Sequence, residues 1–158
     1  MGREADLVRP RLARGVRCFA VILDNGIAGY GWLSTGPEWI GELQLEITPR
    51  KAEAYIWNCV TLAGHRRKGV FRSLVIGISE AARGLGIRRV WIGSVAIPAE
   101  KALAPLGFRP GAHFWTYHFL RLYAMTTSFV DSAVGRDARR VLPNRYGLHG
   151  GSATRRRH

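Results

Sequence analysis

Residues 54–86 read AYIWNCVTLAGHRRKGVFRSLVIGISEAARGLG, and this stretch decides the fold. Its first nine residues are mostly apolar, aromatic or β-branched, which predicts a central β-strand buried on both faces. From Phe71 to Leu85, apolar residues recur at three- and four-residue spacing, which predicts an amphipathic helix that Gly84 and Gly86 end. The stretch is therefore a strand and a helix joined by a turn rich in basic residues and glycine.

The turn contains three consecutive cations, Arg66, Arg67 and Lys68, followed by Gly69. The start of a helix offers unpaired backbone N–H groups at the positive end of the helix dipole, and glycine lets a ligand approach the backbone closely. Together these features favour a pyrophosphate site. The alternative is an ordinary strand–helix turn with solvated arginines, because a single glycine matches neither a Walker loop nor a dinucleotide-binding turn.

The rest of the chain contains further strand and turn signals. Four segments are predicted to be extended by their alternating, β-branched or aromatic residues: 17–34, which forms a hairpin around Asp24-Asn25-Gly26, then 42–47, 88–95 and 112–124. Pro98 opens a short helix, which Pro105 and Gly107 end. Beyond Thr127 the apolar pattern fades, and residues 147–158 are predicted to be flexible.

The composition describes one globular domain. The chain has 158 residues, of which 47% are hydrophobic and 22% charged, as in a protein with a real core. No apolar run is long enough for a membrane span, and the charged N-terminus has no signal segment, so we expect a cytoplasmic protein. Cys18 and Cys59 lie in apolar runs without the spacing of a zinc site, which predicts buried thiols and no metal.

The charge is strongly positive. Lys and Arg number 24 against 11 acids, a formal net charge of +13. Such a charge attracts polyanions, including nucleic acids and phosphorylated cofactors. The alternative is that the arginines reflect an arginine-rich proteome and a solvated tail. Charge alone does not name a partner.

From Arg17 to about Ala124 the sequence resembles a Gcn5-related N-acetyltransferase (GNAT) domain. The family motif, [Gln/Arg]-x-x-Gly-x-[Gly/Ala] at the start of a helix, corresponds to residues 66–71, RRKGVF, and a later Leu-Gly-Phe corresponds to residues 106–108. The resemblance implies an α/β (α+β) fold, with a mixed, mainly antiparallel twisted sheet and helices on its faces. It divides the chain into an N-terminal arm (1–16), an acyl-CoA-binding domain (17–126) and a basic C-terminal extension (127–158).

The resemblance also implies that acetyl-CoA is the cosubstrate. Its pantetheine arm would pair with the backbone of the central strand, and its pyrophosphate would be held by backbone N–H groups and cations of the turn. The residues expected to contact it are Val60, Thr61, Arg66, Arg67, Lys68, Gly69, Val70, Phe71 and Arg72.

The family's catalytic positions are altered in this chain. The places of the Asn and Tyr that serve as the acid in many members hold Ala96 and Leu103. The place of the Glu base holds Tyr55, whose phenol is a poor base at neutral pH because such groups have a pKa near 10. Glu53, two residues earlier, is the other candidate and would act through a water. Only 16 residues precede Arg17, too few for the strand and two helices that help to form the family's acceptor site.

The resemblance therefore implies an acyl-CoA-dependent N-acyltransferase that transfers acetyl to a primary amine. The acceptor is a small molecule, a peptide or a protein, and the sequence names neither it nor the oligomeric state. One alternative is a non-catalytic GNAT-fold binding or regulatory module, favoured by the missing N-terminal elements. Another is an acetyltransferase directed to RNA or tRNA, which would use the basic surface.

Overall fold

The computed structural model describes residues 5–94, 97–119, 122–142 and 149–150. The helices are α1 (Ala5–Ala13), α2 (Val70–Gly84), α3 (Ile97–Leu103) and α4 (Ala133–Val141). The strands are β1 (Arg17–Leu23), β2 (Gly26–Ser34), β3 (Glu38–Ile40), β4 (Leu45–Ile47), β5 (Glu53–Thr61), β6 (Arg89–Ile92), β7 (Ala112–Phe119), β8 (Leu122–Phe129) and β9 (His149–Gly150). The chain divides into two compact units, the first within residues 1–38 and 48–108 and the second within 39–47 and 109–158.

The first unit contains a four-stranded sheet in the order β1-β2-β5-β6. β1 pairs with β2 and β2 with β5 in antiparallel fashion, whereas β5 and β6 are parallel. The parallel pair needs a crossover connection, which α2 supplies. The mixed, mainly antiparallel sheet and the central position of β5 confirm the predictions from the sequence.

One face of this sheet packs against α2. Its buried cluster is aliphatic and consists of Leu33, Ala54, Ile56, Leu74, Ile78 and Ala82. The predicted amphipathic helix is confirmed, and it ends as expected at Gly84, followed by Gly86 with a φ of 78°. The apolar stripe of α2 thus forms the main core of the unit with alternate residues of the strands.

The opposite face of the sheet is covered in part by α1, which lies within the predicted N-terminal arm. Val8 packs against a second buried cluster of Val16, Tyr30 and Trp32. Beyond the end of the helix, a guanidinium nitrogen of Arg14 lies 3.1 Å from a carboxylate oxygen of buried Glu38. The sequence did not predict α1, because the helix contains a proline and buries none of its residues completely.

The hairpin between β1 and β2 forms at the predicted place, with a small correction. The two loop residues, Asp24 and Asn25, have φ angles of 50° and 61°, and Gly26 is already the first residue of β2. A two-residue turn of this kind needs positive φ at both central positions, and Asp and Asn both tolerate that conformation. The glycine is therefore not the residue that makes the turn.

The second unit corrects three predictions. Residues 112–124 are not one strand but parts of β7 and β8, which pair with Phe119 opposite Leu122. The predicted strand at 42–47 is only β4, because Gln44 has a φ of 48°. Instead of a fading pattern beyond Thr127, β8 continues and α4 follows, with the Ser132 hydroxyl accepting a hydrogen bond from the N–H of Gly135. A capping serine before a short helix is the sequence signal for α4.

Most of the tail predicted to be flexible lies outside the described residues. Within it, His149 and Gly150 form β9, which pairs with β8. None of the helices in the described part of the chain is long and apolar enough to cross a membrane.

Candidate functional site

The central strand β5 carries a β-bulge. Trp32 of β2 lies opposite Trp57, but Tyr30 lies opposite Val60, so β5 has one residue more than β2 over this interval. Asn58, inside the bulge, has a φ of 47°. Such a bulge bends its strand and increases the local twist.

The bulge coincides with the point where β5 and β6 part. Their parallel pairing runs from Glu53 opposite Arg89 to Ile56 opposite Ile92 and ends there. β5 continues through the bulge to Thr61. Among the described residues, no strand pairs with this edge of β5 beyond Ile56. The edge can therefore accept an extended ligand as an additional strand.

Thr61 directs its backbone groups to this open edge. The N–H of Leu62 donates to the carbonyl of Ala28, at 2.9 Å, so Leu62 faces β2. Successive residues of a strand point their N–H and C=O groups to alternate sides. Thr61 consequently faces away from β2, whereas Val60 faces β2.

Directly after β5, the chain forms a 3₁₀ turn at Ala63–His65 and then the basic turn. Arg67 and Gly69 both have left-handed backbone conformations, with φ angles of 63° and 78°. Gly69 is the N-cap residue of α2, and no side chain caps this end. The backbone N–H of Ser73 donates to the carbonyl of Gly69 at 3.0 Å, and this is the first hydrogen bond of the helix.

The N-terminus of α2 therefore has the chemistry of an anion site. The N–H groups of Val70, Phe71 and Arg72 have no acceptor within the helix, because they precede its first donor. A left-handed residue followed by helical ones also turns successive N–H groups to the same side. A Cβ built on Gly69 would meet nothing within 4 Å, so the space in front of these groups is open.

The cations of the turn are close in sequence to this helix end and form no ion pair within the described part of the chain. Arg66, Arg67, Lys68 and Arg72 are all exposed. His65, in the same turn, has a buried Nδ1 without a hydrogen-bond partner. The structure thus brings together the residues predicted for phosphate binding, 66–72, at one end of α2.

The two catalytic candidates, Glu53 and Tyr55, lie on the face of β5 that is opposite α2. The Glu53 carboxylate accepts hydrogen bonds from the Trp91 indole nitrogen at 2.9 Å, the Arg50 backbone N–H at 3.2 Å and the Arg89 guanidinium at 3.4 Å. Three donors on one carboxylate that is 13% exposed indicate a structural role. The group holds the start of β5 to β6.

Tyr55 extends its ring towards the segment after β6. The side chain is 6% exposed, and its hydroxyl lies 3.0 Å from the place where a Cβ on Gly93 would be. It therefore lies where β5 and β6 begin to diverge. Of the family's acid positions, Leu103 is a buried apolar residue of α3, and Ala96 lies outside the described residues.

Arg11, Trp32 and Trp57 meet on this face, a contact that the sequence did not predict. The guanidinium carbon of Arg11, in α1, lies 4.4 Å from the ring centroid of Trp57 and 5.0 Å from that of Trp32. The two ring centroids are 6.2 Å apart. The sequence signal for the aromatic residues of this face is their two-residue spacing along each strand, which is seen in Tyr30 with Trp32 and in Tyr55 with Trp57.

The described residues contain no cluster of His, Cys, Asp and Glu that could hold a metal ion. The candidate site consists instead of an open strand edge, a helix N-terminus with free cations, and an aromatic face.

Comparisons with known proteins identify the family and the fold. The model of the acetyltransferase (GNAT) family matches residues 3–108. A similar fold occurs in an acetyltransferase of Trypanosoma brucei, with 20% identity and a TM-score of 0.51 over 66% of this chain and 70% of that one. A Bacillus subtilis acetyltransferase in complex with CoA has 20% identity and a TM-score of 0.51 over 74% of this chain and 65% of that one. A third similar fold is that of an aminoglycoside N-acetyltransferase in complex with CoA, with 16% identity and a TM-score of 0.52 over 75% of this chain and 92% of that one. No curated protein has a significant match.

Proposed function

Because this chain belongs to the GNAT acetyltransferase family, we propose that it is an acyl-CoA-dependent N-acyltransferase that transfers acetyl from acetyl-CoA to a primary amine. The observation that supports the proposal is the continuity of two binding features in one unit. The open edge of β5 ends at Thr61, and the uncapped N-terminus of α2 begins at Val70. A ligand with an extended amide chain and a pyrophosphate matches both.

Each part of the cosubstrate then has a partner. The pantetheine amides pair with the backbone of Thr61, and the alternation along β5 favours this residue over Val60. The pyrophosphate accepts hydrogen bonds from the N–H groups of Gly69, Val70 and Phe71. The side chains of Arg66, Arg67, Lys68 and Arg72 supply positive charge around it.

The chemistry of transfer needs little from side chains. A neutral amine attacks the thioester carbon, the C–N bond forms, the C–S bond breaks, and CoA leaves as a thiolate while the nitrogen loses a proton to solvent. A thiol with a pKa of about 8.5 leaves without an acid at modest cost. The enzyme contributes mainly by positioning the two substrates and by donating a backbone N–H to the thioester oxygen.

Gly69 provides the decisive test of cosubstrate binding. We expect Gly69→Val to abolish acetyl-CoA binding, measured by calorimetry and by thermal shift, because a branched side chain would occupy the open space before the helix. Gly86→Val is the matched control. Gly86 lies beyond the other end of α2 with the same φ of 78° and the same open space around a Cβ, so it controls for the strain that valine meets at a positive φ.

In the unaltered protein, acetyl-CoA at a hundredfold excess over Kd should stabilise the fold by about 2.7 kcal/mol. Undiminished affinity in a folded Gly69→Val protein would refute the assignment of the pyrophosphate site. If acetyl-CoA binds but no amine is acylated, the non-catalytic binding module becomes the better proposal. Leu103 and the fully engaged Glu53 are the observations that favour that alternative.

A further inference from the structure

The aromatic face of the first unit contains a group of hydrogen-bond donors without acceptors, formed by Arg11, Trp32 and Trp57 (the Arg11 cluster). The indole nitrogens of Trp32 and Trp57 are both buried and have no hydrogen-bond partner. Trp32 is 0% exposed. Arg11 lies over both rings, and no ion pair in the described residues involves it.

Packing alone does not explain this arrangement. The attraction between a guanidinium and an aromatic face explains why Arg11 stacks on the two rings. It leaves two indole N–H groups unsatisfied, and buried donors without partners are rare in folded proteins because each one is costly. Every polar atom of the cluster donates, so what it lacks is a group that only accepts.

A carboxylate is the group that matches this lack. It accepts several hydrogen bonds at once and donates none, and a guanidinium binds it through two parallel N–H···O bonds. A cationic group fits poorly, since it would be repelled by Arg11 and would leave the indoles unpaired. Because Arg11 and Trp57 are half-buried, the long arginine side chain can move aside from the indoles as the anion enters.

The cluster borders the site proposed for acyl transfer. Trp57 is the residue directly after the last pair between β5 and β6, and it precedes the bulge. Its side chain shares a face with Tyr55, which lies where the two strands diverge. The cluster therefore adjoins the open edge of β5 on the side opposite α2.

We propose that the Arg11 cluster binds a carboxylate of the amine substrate, so that the acceptor is an amino acid or a peptide with a free carboxylate. The role of this molecule as the acceptor rests on the proposed acyltransferase function, whereas the binding of its carboxylate does not. The labelling rate of Cys18 can report on binding at the cluster, because Cys18 lies opposite Trp32. Burial raises the pKa of the Cys18 thiol, and the positive charge of Arg11 lowers it.

The test uses ω-amino acids from glycine to 6-aminohexanoate, each compared with its methyl ester, which keeps the amine and the chain but removes the anion. Binding is followed without acyl-CoA, by tryptophan fluorescence and by the labelling rate of Cys18. We expect at least one acid to change the fluorescence and to slow Cys18 labelling, because neutralising Arg11 lets the thiol pKa rise. The methyl ester of that acid should bind at least about tenfold more weakly.

Variants separate binding from structure. Arg11→Gln should weaken binding of that acid about tenfold or more, and Trp57→Phe, which keeps a ring but removes the N–H, should weaken it several-fold. Arg9→Gln, an exposed arginine of the same helix, is the matched control and should bind normally. If Arg11→Gln unfolds, Arg11→Lys keeps the charge without the fork, and it should still lose most of the preference for acid over ester.

Acids and esters that bind equally, a panel in which no compound changes either signal, or equal effects of Arg9→Gln and Arg11→Gln would each overturn the inference. Kinetics then test the reaction: kcat/KM for the acid should exceed that for the ester by the same factor as binding. Because the binding assay contains no acyl-CoA, a protein that binds the acids but not acetyl-CoA would refute the proposed function and leave the carboxylate site standing.

Discussion

On one face of the four-stranded sheet, aliphatic side chains of β2 and β5 pack on the apolar stripe of α2. On the other face, the same two strands present Tyr30, Trp32, Tyr55 and Trp57. The buried residues of the aliphatic cluster all have apolar side chains, so their stabilising free energy comes from burial and close packing. The aromatic face contains indole and hydroxyl groups and adjoins charged residues. One face stabilises the unit, and the other is available for recognition.

Each face has one cysteine, and the difference between the reactivities of the two thiols is the largest effect that we expect. Cys59 packs against the aliphatic cluster, and burial raises the pKa of its thiol to about 12. Cys18 is exposed. At pH 8 we expect a thiol reagent to label Cys59 roughly a thousandfold more slowly than an ordinary thiol, because the thiolate is the reactive form.

The labelling rate of Cys59 should also rise about tenfold per pH unit up to its pKa. Single-cysteine proteins, made by Cys18→Ala or Cys59→Ala, assign the two rates, and both thiols should react alike in denaturant. Similar rates in the folded protein would show that the α2 face is not closed.

Stability should depend strongly on the aliphatic face. Ile78 of α2 is 0% exposed in this cluster, whereas Ile76 of the same helix is 39% exposed. We expect Ile78→Ala to lower the free energy of unfolding by about 3 kcal/mol, because it leaves a cavity. Ile76→Ala, measured in the same urea titration, should cost less than about 1 kcal/mol. Equal losses would contradict the division of labour between the faces.

The smallest effect is expected at the catalytic candidates on the aromatic face. Glu53→Gln and Tyr55→Phe should each reduce kcat/KM less than about tenfold with the best amine of the amino-acid panel, because positioning accounts for most of the catalysis. Acid–base catalysis by a side chain is typically worth about 10²–10⁴-fold. A loss above about a thousandfold, with acetyl-CoA affinity unchanged, would identify a catalyst instead.

The strand, turn and helix of residues 54–86 could be predicted because each follows from local chemistry. A run of β-branched and aromatic residues favours a strand wherever it is buried, and a 3.6-residue period selects a helix face without knowledge of its partner. Gly69 and Gly86 have positive φ angles, which their residue type suggests. The same locality explains the failures, since α1 and α4 have weak or short patterns that depend on capping and on neighbouring elements.

By itself, the sequence determined the central strand, the basic turn, the amphipathic helix and the family. The tertiary structure decided which side chains meet across elements, and the bulge at Asn58 shows why. Simple alternation from Ala54 would place Cys59 on the aromatic face, yet the extra residue turns it towards α2. The Arg11 cluster likewise joins a helix and two strands that share no sequence pattern. A period describes one element, whereas the meeting of elements depends on register, bulges and packing.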